Sequence, residues 1–179
     1  MPSPVKWLTD EQYERLPLPE RWLAQAKSQV GISELTGHND GPEIDKYLEA
    51  AGKKAGSKLP YCAAGQTWCA LQAGAKRENL PKFPAGVAEW RKWATEEGRR
   101  LSEPGRGMLG YWTNPGIYGE PGHIFIIAGY ALGVLRTIEF NTNGEGSREG
   151  DGVRERFRTL KGMKKNARWG FIDLEGLDG

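Results

Sequence analysis

At 179 residues the chain is long enough to bury a core of its own and fits one domain that needs no metal or disulfide to fold. Lysine plus arginine (25) exceed aspartate plus glutamate (23) by only two, which argues against the strong positive field of a dedicated nucleic-acid binder. Only 38% of residues are hydrophobic, but seven Trp, six Tyr and five Phe supply large buried areas, so a disordered chain is excluded.

Residues 1–19 are punctuated by Pro2, Pro4, Pro17 and Pro19 and read as an irregular arm pinned by Trp7, Leu8 and Tyr13. The arm holds no apolar run of signal-peptide character, and no later segment is long enough to cross a membrane. The expectation is a protein made in the cytoplasm without a signal peptide, with residues 20–179 as a single domain.

A helix is predicted over residues 19–30, with Leu23, Ala26, Lys27 and Val30 on one face and Gly31 as its stop. A polar loop, residues 34–42, then feeds a short helix opened by Pro42 and closed by Gly52, whose apolar stripe is Ile44, Tyr47, Leu48 and Ala51. Oxygens cluster at Asn39, Asp40, Glu43 and Asp45, but the spacing lacks the alternating ladder of a calcium loop, so helix capping is the expected use. His38 reads as a solvated loop histidine.

The organising stretch is residues 59–74. Pro60 suits the first helical position and Gly74 suits the stop. Cys62 then falls in the first turn, where unpaired backbone N–H groups and the positive end of the helix dipole favour an anion. A thiolate is the form in which cysteine attacks. Ala63, Ala64, Ala70 and Ala73 keep the helix surface small, while Trp68 and Leu71 give it bulk for a core. Taken alone, Cys62 is more simply a small apolar core residue. Cys62 and Cys69 lie seven positions apart in one helix, about 10 Å along the axis, too far for a disulfide. Two free thiols follow, as in a reducing compartment. A zinc site from Cys62, Cys69, His38 and His123 matches no common finger spacing, so no metal or cofactor is expected.

Residues 84–97 read as a further helix with Val87, Trp90, Trp93 and Ala94 inward and Gly98 as its stop. From Gly107 the chain turns β-rich, with strands predicted over 108–112, 123–131, 134–141, 153–160 and 169–174. Helices followed by strands at hairpin spacing imply an α+β domain, N-terminal helices packed on an antiparallel sheet.

His123 heads the most apolar of these strands, after a Gly/Pro-rich loop carrying Tyr118. In the next strand the period of two puts Thr137, Glu139 and Asn141 on one face and Ile138 and Phe140 on the other. A hairpin brings that polar face to His123. Either Glu139 or Asn141 then accepts a hydrogen bond from the imidazole and holds the tautomer that faces Cys62. Each residue alone is unremarkable on a sheet surface. Their conjunction sketches a thiol, imidazole and carboxylate-or-amide triad.

These residues also resemble a known family. Tyr61-Cys62-Ala63-Ala64 with Trp68-Cys69 behind it, Gly122-His123-Ile124, Ile138-Glu139-Phe140-Asn141-Thr142 and Gly150-Asp151-Gly152-Val153 are similar to the CHAP family of cysteine, histidine-dependent amidohydrolases and peptidases, cousins of the NlpC-type cell-wall hydrolases. The resemblance spans roughly residues 30–174. It implies a papain-like fold, with Cys62 as nucleophile, His123 as general base, Glu139 as the orienting residue and Asn141 as an auxiliary polar group. It also implies a substrate, peptidoglycan, with cleavage of an N-acetylmuramoyl-L-alanine bond or of one within the stem peptide, as in a phage endolysin or an injected antibacterial effector acting on the wall after release or delivery. A non-catalytic wall-binding or virion component of the same fold is the alternative. Two positions depart from the family: Phe140 stands where such proteins often have glycine, and Met108 where an aspartate is expected.

Tyr61, Trp112 and Tyr118 are the aromatic candidates for lining a substrate groove, and residues 143–150 for a clamp beside it. Arg154, Arg156 and Arg158 alternate on one strand face, with Lys161, Lys164, Lys165 and Arg168 following, a surface suited to anionic wall polymers. The same charges also read as a solvated face balanced by Glu149, Asp151 and Glu155. Nucleic acid is disfavoured by the small net charge.

Overall fold

Alternating apolar residues in the second half of the chain build one antiparallel sheet. The computed structural model describes residues 3–5, 8–116, 122–142 and 150–179. Its strands are β1 (Arg100–Leu101), β2 (Leu109–Thr113), β3 (Gly122–Ala131), β4 (Val134–Thr142), β5 (Gly152–Thr159) and β6 (Arg168–Ile172). They lie in the order β1-β6-β2-β3-β4-β5, with every neighbouring pair antiparallel. Five helices precede or flank them: α1 (Asp10–Glu14), α2 (Leu18–Ser28), α3 (Pro42–Ala50), α4 (Cys62–Gln72) and α5 (Val87–Glu96). A sixth, α6 (Leu160–Met163), joins β5 to β6. The α+β class is therefore the observed one.

The period of two divides the sheet into two faces. Ile124, Ile126 and Ile138 join the main core beneath the helices, with Trp22, Tyr47, Tyr61, Trp90 and Phe140. Phe125, Ile127 and Leu135 point the other way, into a smaller core closed by Met163 and Phe171. Burying each such side chain contributes roughly 1.5–3 kcal/mol, so the large aromatics dominate the main core. Trp22 and Trp90 meet edge to face at 6.0 Å, and Tyr47 meets Phe140 in the same manner at 5.0 Å.

The small-residue helix α4 runs across β3 and β4. Gly65 explains how it sits so close: a Cβ there would lie 2.2 Å from the Phe140 ring. The bulk at Phe140 is thus matched by an absence of bulk on α4. Gln66 is buried with it, and its Oε1 accepts a hydrogen bond from Trp22 Nε1 at 3.1 Å, tying α4 to α2.

Several expectations are corrected. α4 begins at Cys62 and not at Pro60, because Tyr61 still has non-helical backbone angles (φ −118°, ψ 16°). It ends, as expected, just before Gly74, whose φ is +96°. The arm is not wholly irregular: Thr9 and Gln12 form a capping box that opens α1, and Tyr13 is fully buried. Trp7 lies outside the described residues. The oxygens at residues 39–45 do not cap α3, whose N-cap is Gly41 without a side-chain bond. Asp40 instead accepts from Thr36 N and Oγ1, Asp45 accepts from Gly56 N, and Glu43 pairs with Lys46. The two-residue β1 and the four-residue α6 were not expected from the sequence.

Candidate active site

Cys62 is the first helical residue of α4. The first intrahelical bond is Gly65 N to Tyr61 O, so the N–H groups of Cys62, Ala63 and Ala64 have no partner within the helix. The thiol therefore sits at the donor-rich, electropositive end of a helix pressed on β3 and β4. It is buried but not sealed, with 7% of the residue exposed, whereas Cys69, two turns further along the same helix face, is fully enclosed. Burial pushes the Cys69 thiol well above its ordinary range, and both cysteines are free.

The hairpin of β3 and β4 supplies the rest. Phe125 pairs with Glu139, which places Glu139 on the same sheet face as His123, two residues before Phe125. His123 Nε2 donates to Glu139 Oε2 at 2.9 Å, and both side chains are almost wholly buried. With Nε2 committed, Nδ1 is the nitrogen left for the Cys62 thiol. It is buried and has no other hydrogen-bond partner among the described residues.

The charges are correspondingly polarised. Burial opposes a charged imidazole, but hydrogen bonding with Cys62 and Glu139 and attraction to both outweigh it and raise His123 from its ordinary 6.5 to about 9. Burial likewise opposes a charged Glu139. Its hydrogen bonds to His123 and Arg158, and their charges, overcome that and hold it at about 2, below the ordinary 4.5. At neutral pH the site is a carboxylate beside an imidazole that readily keeps a proton.

The choice left open between Glu139 and Asn141 is resolved by a bulge. The register of β4 with β5 shifts between Glu139 and Thr142, and Asn141 takes a left-handed backbone (φ 52°) that removes it from the simple alternation. The imidazole is bonded to Glu139. Asn141 is buried nearby in sequence, with its Oδ1 unpartnered among the described residues.

The aromatic candidates divide. Trp112 is the direct cross-strand partner of His123, with ring centroids 5.1 Å apart, and its half-buried edge lines a cleft of about 430 Å³ with Arg158, Thr159 and Asn166. Tyr61 is a correction: it is fully buried, stacked on Tyr47 at 6.1 Å, because the turn into α4 directs it into the core, so no face is open to a substrate. Tyr118 and residues 143–149, the expected clamp, lie outside the described residues.

Two arginines of the expected basic surface are committed within the fold. Arg154 donates to Ile32 O, to Ser33 Oγ and to Asp151, bracing the loop before α3. Arg158 turns inward, donating Nε to Glu139 Oε1 and Nη2 to Glu139 Oε2. Thr137 Oγ1 adds a bond to Oε1 at 2.6 Å. Parity alone places Arg158 on one face of β5 with Arg154 and Arg156; the pairing with β4 puts that face beside Glu139.

Among the described residues no group of three or more His, Cys, Asp or Glu side chains is placed to hold a metal ion. No helix among them is long and apolar enough to cross a membrane. No family model matches the chain, and comparison with curated proteins and with solved structures gives no significant match either.

Proposed function

We propose that this chain is a thiol hydrolase of papain-like, CHAP-type design that cleaves an amide bond in peptidoglycan, as a phage endolysin or an injected antibacterial effector does. The observation that carries the chemistry is the buried His123–Glu139 pair, with its free ring nitrogen beside a cysteine at a helix start. The choice of peptidoglycan rests on the motif resemblance around Cys62, His123 and Glu139.

In this mechanism Nδ1 of His123 takes the thiol proton and Sγ of Cys62 attacks the amide carbonyl. The backbone N–H of Cys62, unused within the helix, stabilises the oxyanion. The imidazolium returns its proton to the departing amine as the C–N bond breaks, leaving an acyl-enzyme thioester. Water, deprotonated by the same imidazole, then releases the acid and restores the thiol. Glu139 keeps the ring oriented and balances its charge throughout. Trp112 shields one side of the imidazole from water.

The test is digestion of purified peptidoglycan by wild type and by Cys62→Ala, with products identified by mass. Fragments released by wild type alone establish the hydrolase, and their masses name the amidase or endopeptidase bond. Absence of fragments from walls of several hosts overturns the reading in favour of a non-catalytic wall-binding component, which a sedimentation assay with the same walls then detects.

A further inference from the structure

Glu139 is more elaborately held than orienting a histidine requires. Its two oxygens accept four hydrogen bonds: Oε1 from Thr137 and Arg158, Oε2 from His123 and Arg158. That fills the carboxylate's four lone-pair sites. By register Arg158 faces Leu135 and the residue opposite Glu139 is Arg154, yet Arg154 is directed to residues 32, 33 and 151. Arg158 reaches along the face instead. Its guanidinium lies over Trp112 at 4.8 Å and over Phe125 at 5.8 Å, the two rings that flank His123. One arginine thus touches the carboxylate and both aromatic neighbours of the imidazole.

We propose that Arg158 is a positioning residue of the site, whose guanidinium fork clamps both oxygens of Glu139 and so fixes Oε2 on His123 Nε2. This rests on the thiol hydrolase reading. A fork bonded through two nitrogens fixes the plane of a carboxylate, which a single ammonium does not do. Stacking on Trp112 holds the fork itself in place. The clamp also keeps the carboxylate ionised in a position where burial disfavours its charge. The charged or titratable groups around Glu139 are His123 on β3, Arg158 and, opposite Thr137 on the same face, Arg156 on β5, and, beyond the imidazole, Cys62 on α4. Arg154 on β5 is turned to Asp151, and Lys164 after α6 lies over Trp169.

Without the fork, Glu139 would keep only the bonds from Thr137 and His123 and would take up a proton at a higher pH. A neutral Glu139 no longer balances an imidazolium, and the reactive thiolate goes with it. The experiment follows Cys62 alkylation by iodoacetamide, read on its own peptide by mass, across pH 3–10. Wild type is compared with Arg158→Met, which keeps the stem over Trp112, and with Arg158→Lys, which keeps the charge but not the fork. The acid limb, which in wild type lies below the scanned range, should enter it in Arg158→Met. In Arg158→Lys it should stay near the wild-type position while the neutral-pH rate falls severalfold.

An acid limb and rate in Arg158→Met that coincide with wild type, with only the melting temperature lowered, would reduce Arg158 to a structural ion pair. If Arg158→Met does not fold, Arg158→Lys decides, because an unchanged alkylation rate there removes the clamp. The readout needs no wall substrate. A shifted limb in a protein that leaves peptidoglycan intact keeps the clamp and rejects the hydrolase, and cleavage with an unshifted limb does the reverse.

Discussion

Gly65→Ala sets two physical terms against each other at a position that fixes the helix carrying Cys62. Within a helix, alanine is favoured over glycine by about 1 kcal/mol. Here the new Cβ would lie 2.2, 2.3 and 2.8 Å from three atoms of the Phe140 ring. Carbon contacts are optimal at about 3.5–4.0 Å, so the helix or the ring must move by roughly 1.3 Å. The ring has little room to yield, because Tyr47 meets it at 5.0 Å and both residues are fully buried. Overpacking of this kind costs about 1–3 kcal/mol, and an overlap this deep belongs at the upper end. The net expectation is a loss of about 2 kcal/mol. For a chain of this size that lowers the melting temperature by about 4–8 °C. Cys62 lies one turn before Gly65, so the displaced helix also carries the thiol away from His123 and slows its alkylation. Thermal unfolding of Gly65→Ala, Phe140→Leu and the double variant measures both effects, and the double variant should recover part of the loss. A Gly65→Ala protein more stable than wild type would show that propensity outweighs the contact and refute the reasoning.

Native protein treated with excess iodoacetamide at neutral pH should gain one adduct, at Cys62, and a second only after denaturation, because Cys69 is sealed and burial pushes its thiol up; two adducts on the native fold would contradict the packing of α4. The pH dependence of stability has a defined sign. His123 is raised from 6.5 to about 9, so its contribution is whole below pH 6.5 and lost as pH rises through 9, while that of Glu139 is whole above pH 4.5 and lost as pH falls through 2. Melting temperature should therefore decline between pH 6.5 and 9, and Glu139→Gln should shrink that decline and move it to lower pH; identical curves would remove the ion pair. Because the pair titrates as a unit, the alkaline limb of hydrolysis should fall near pH 9 in wild type and lower in Glu139→Gln, measured as kcat/KM on wall fragments. Trp112→Ala should leave the fold intact and lower kcat/KM by about tenfold or more, since it bares the imidazole and removes the ring under Arg158; unchanged kinetics would deny it any part in the site.

The sheet was legible because its period-two patterns are long: β3, β4 and β5 were expected within a residue or two of where they lie. What escaped was decided by tertiary contact. β1 is two residues whose strand identity comes only from pairing with β6, and α6 is a single turn closing the smaller core over Phe125 and Phe171. Proline propensity points to Pro60 as the start of α4, two residues early, while Tyr61 keeps a non-helical backbone and buries its ring against Tyr47. The consequence is functional, since it makes Cys62 the first helical residue, where the unused N–H groups are.

Within the site, residue types were legible and assignments were not. Alternation alone put Glu139 and Asn141 on one face as equals; the bulge at Asn141 and the bond to His123 break the tie, and neither is a property of a regular strand. Arg158 was read as surface charge because a strand's own sequence does not say what lies across from it. The network it joins also bears on whether the site is merely structural. A stabilising buried ion pair is complete with Arg158, Glu139 and Thr137, which saturate one carboxylate oxygen and half of the other. Adding a buried histidine brings in Nδ1, which has no hydrogen-bond partner among the described residues save the adjacent thiol. A thiol is a weak hydrogen-bond partner, so burying that nitrogen costs up to about 1–3 kcal/mol. In the proposed mechanism that cost has a use, because the same nitrogen receives the thiol's proton.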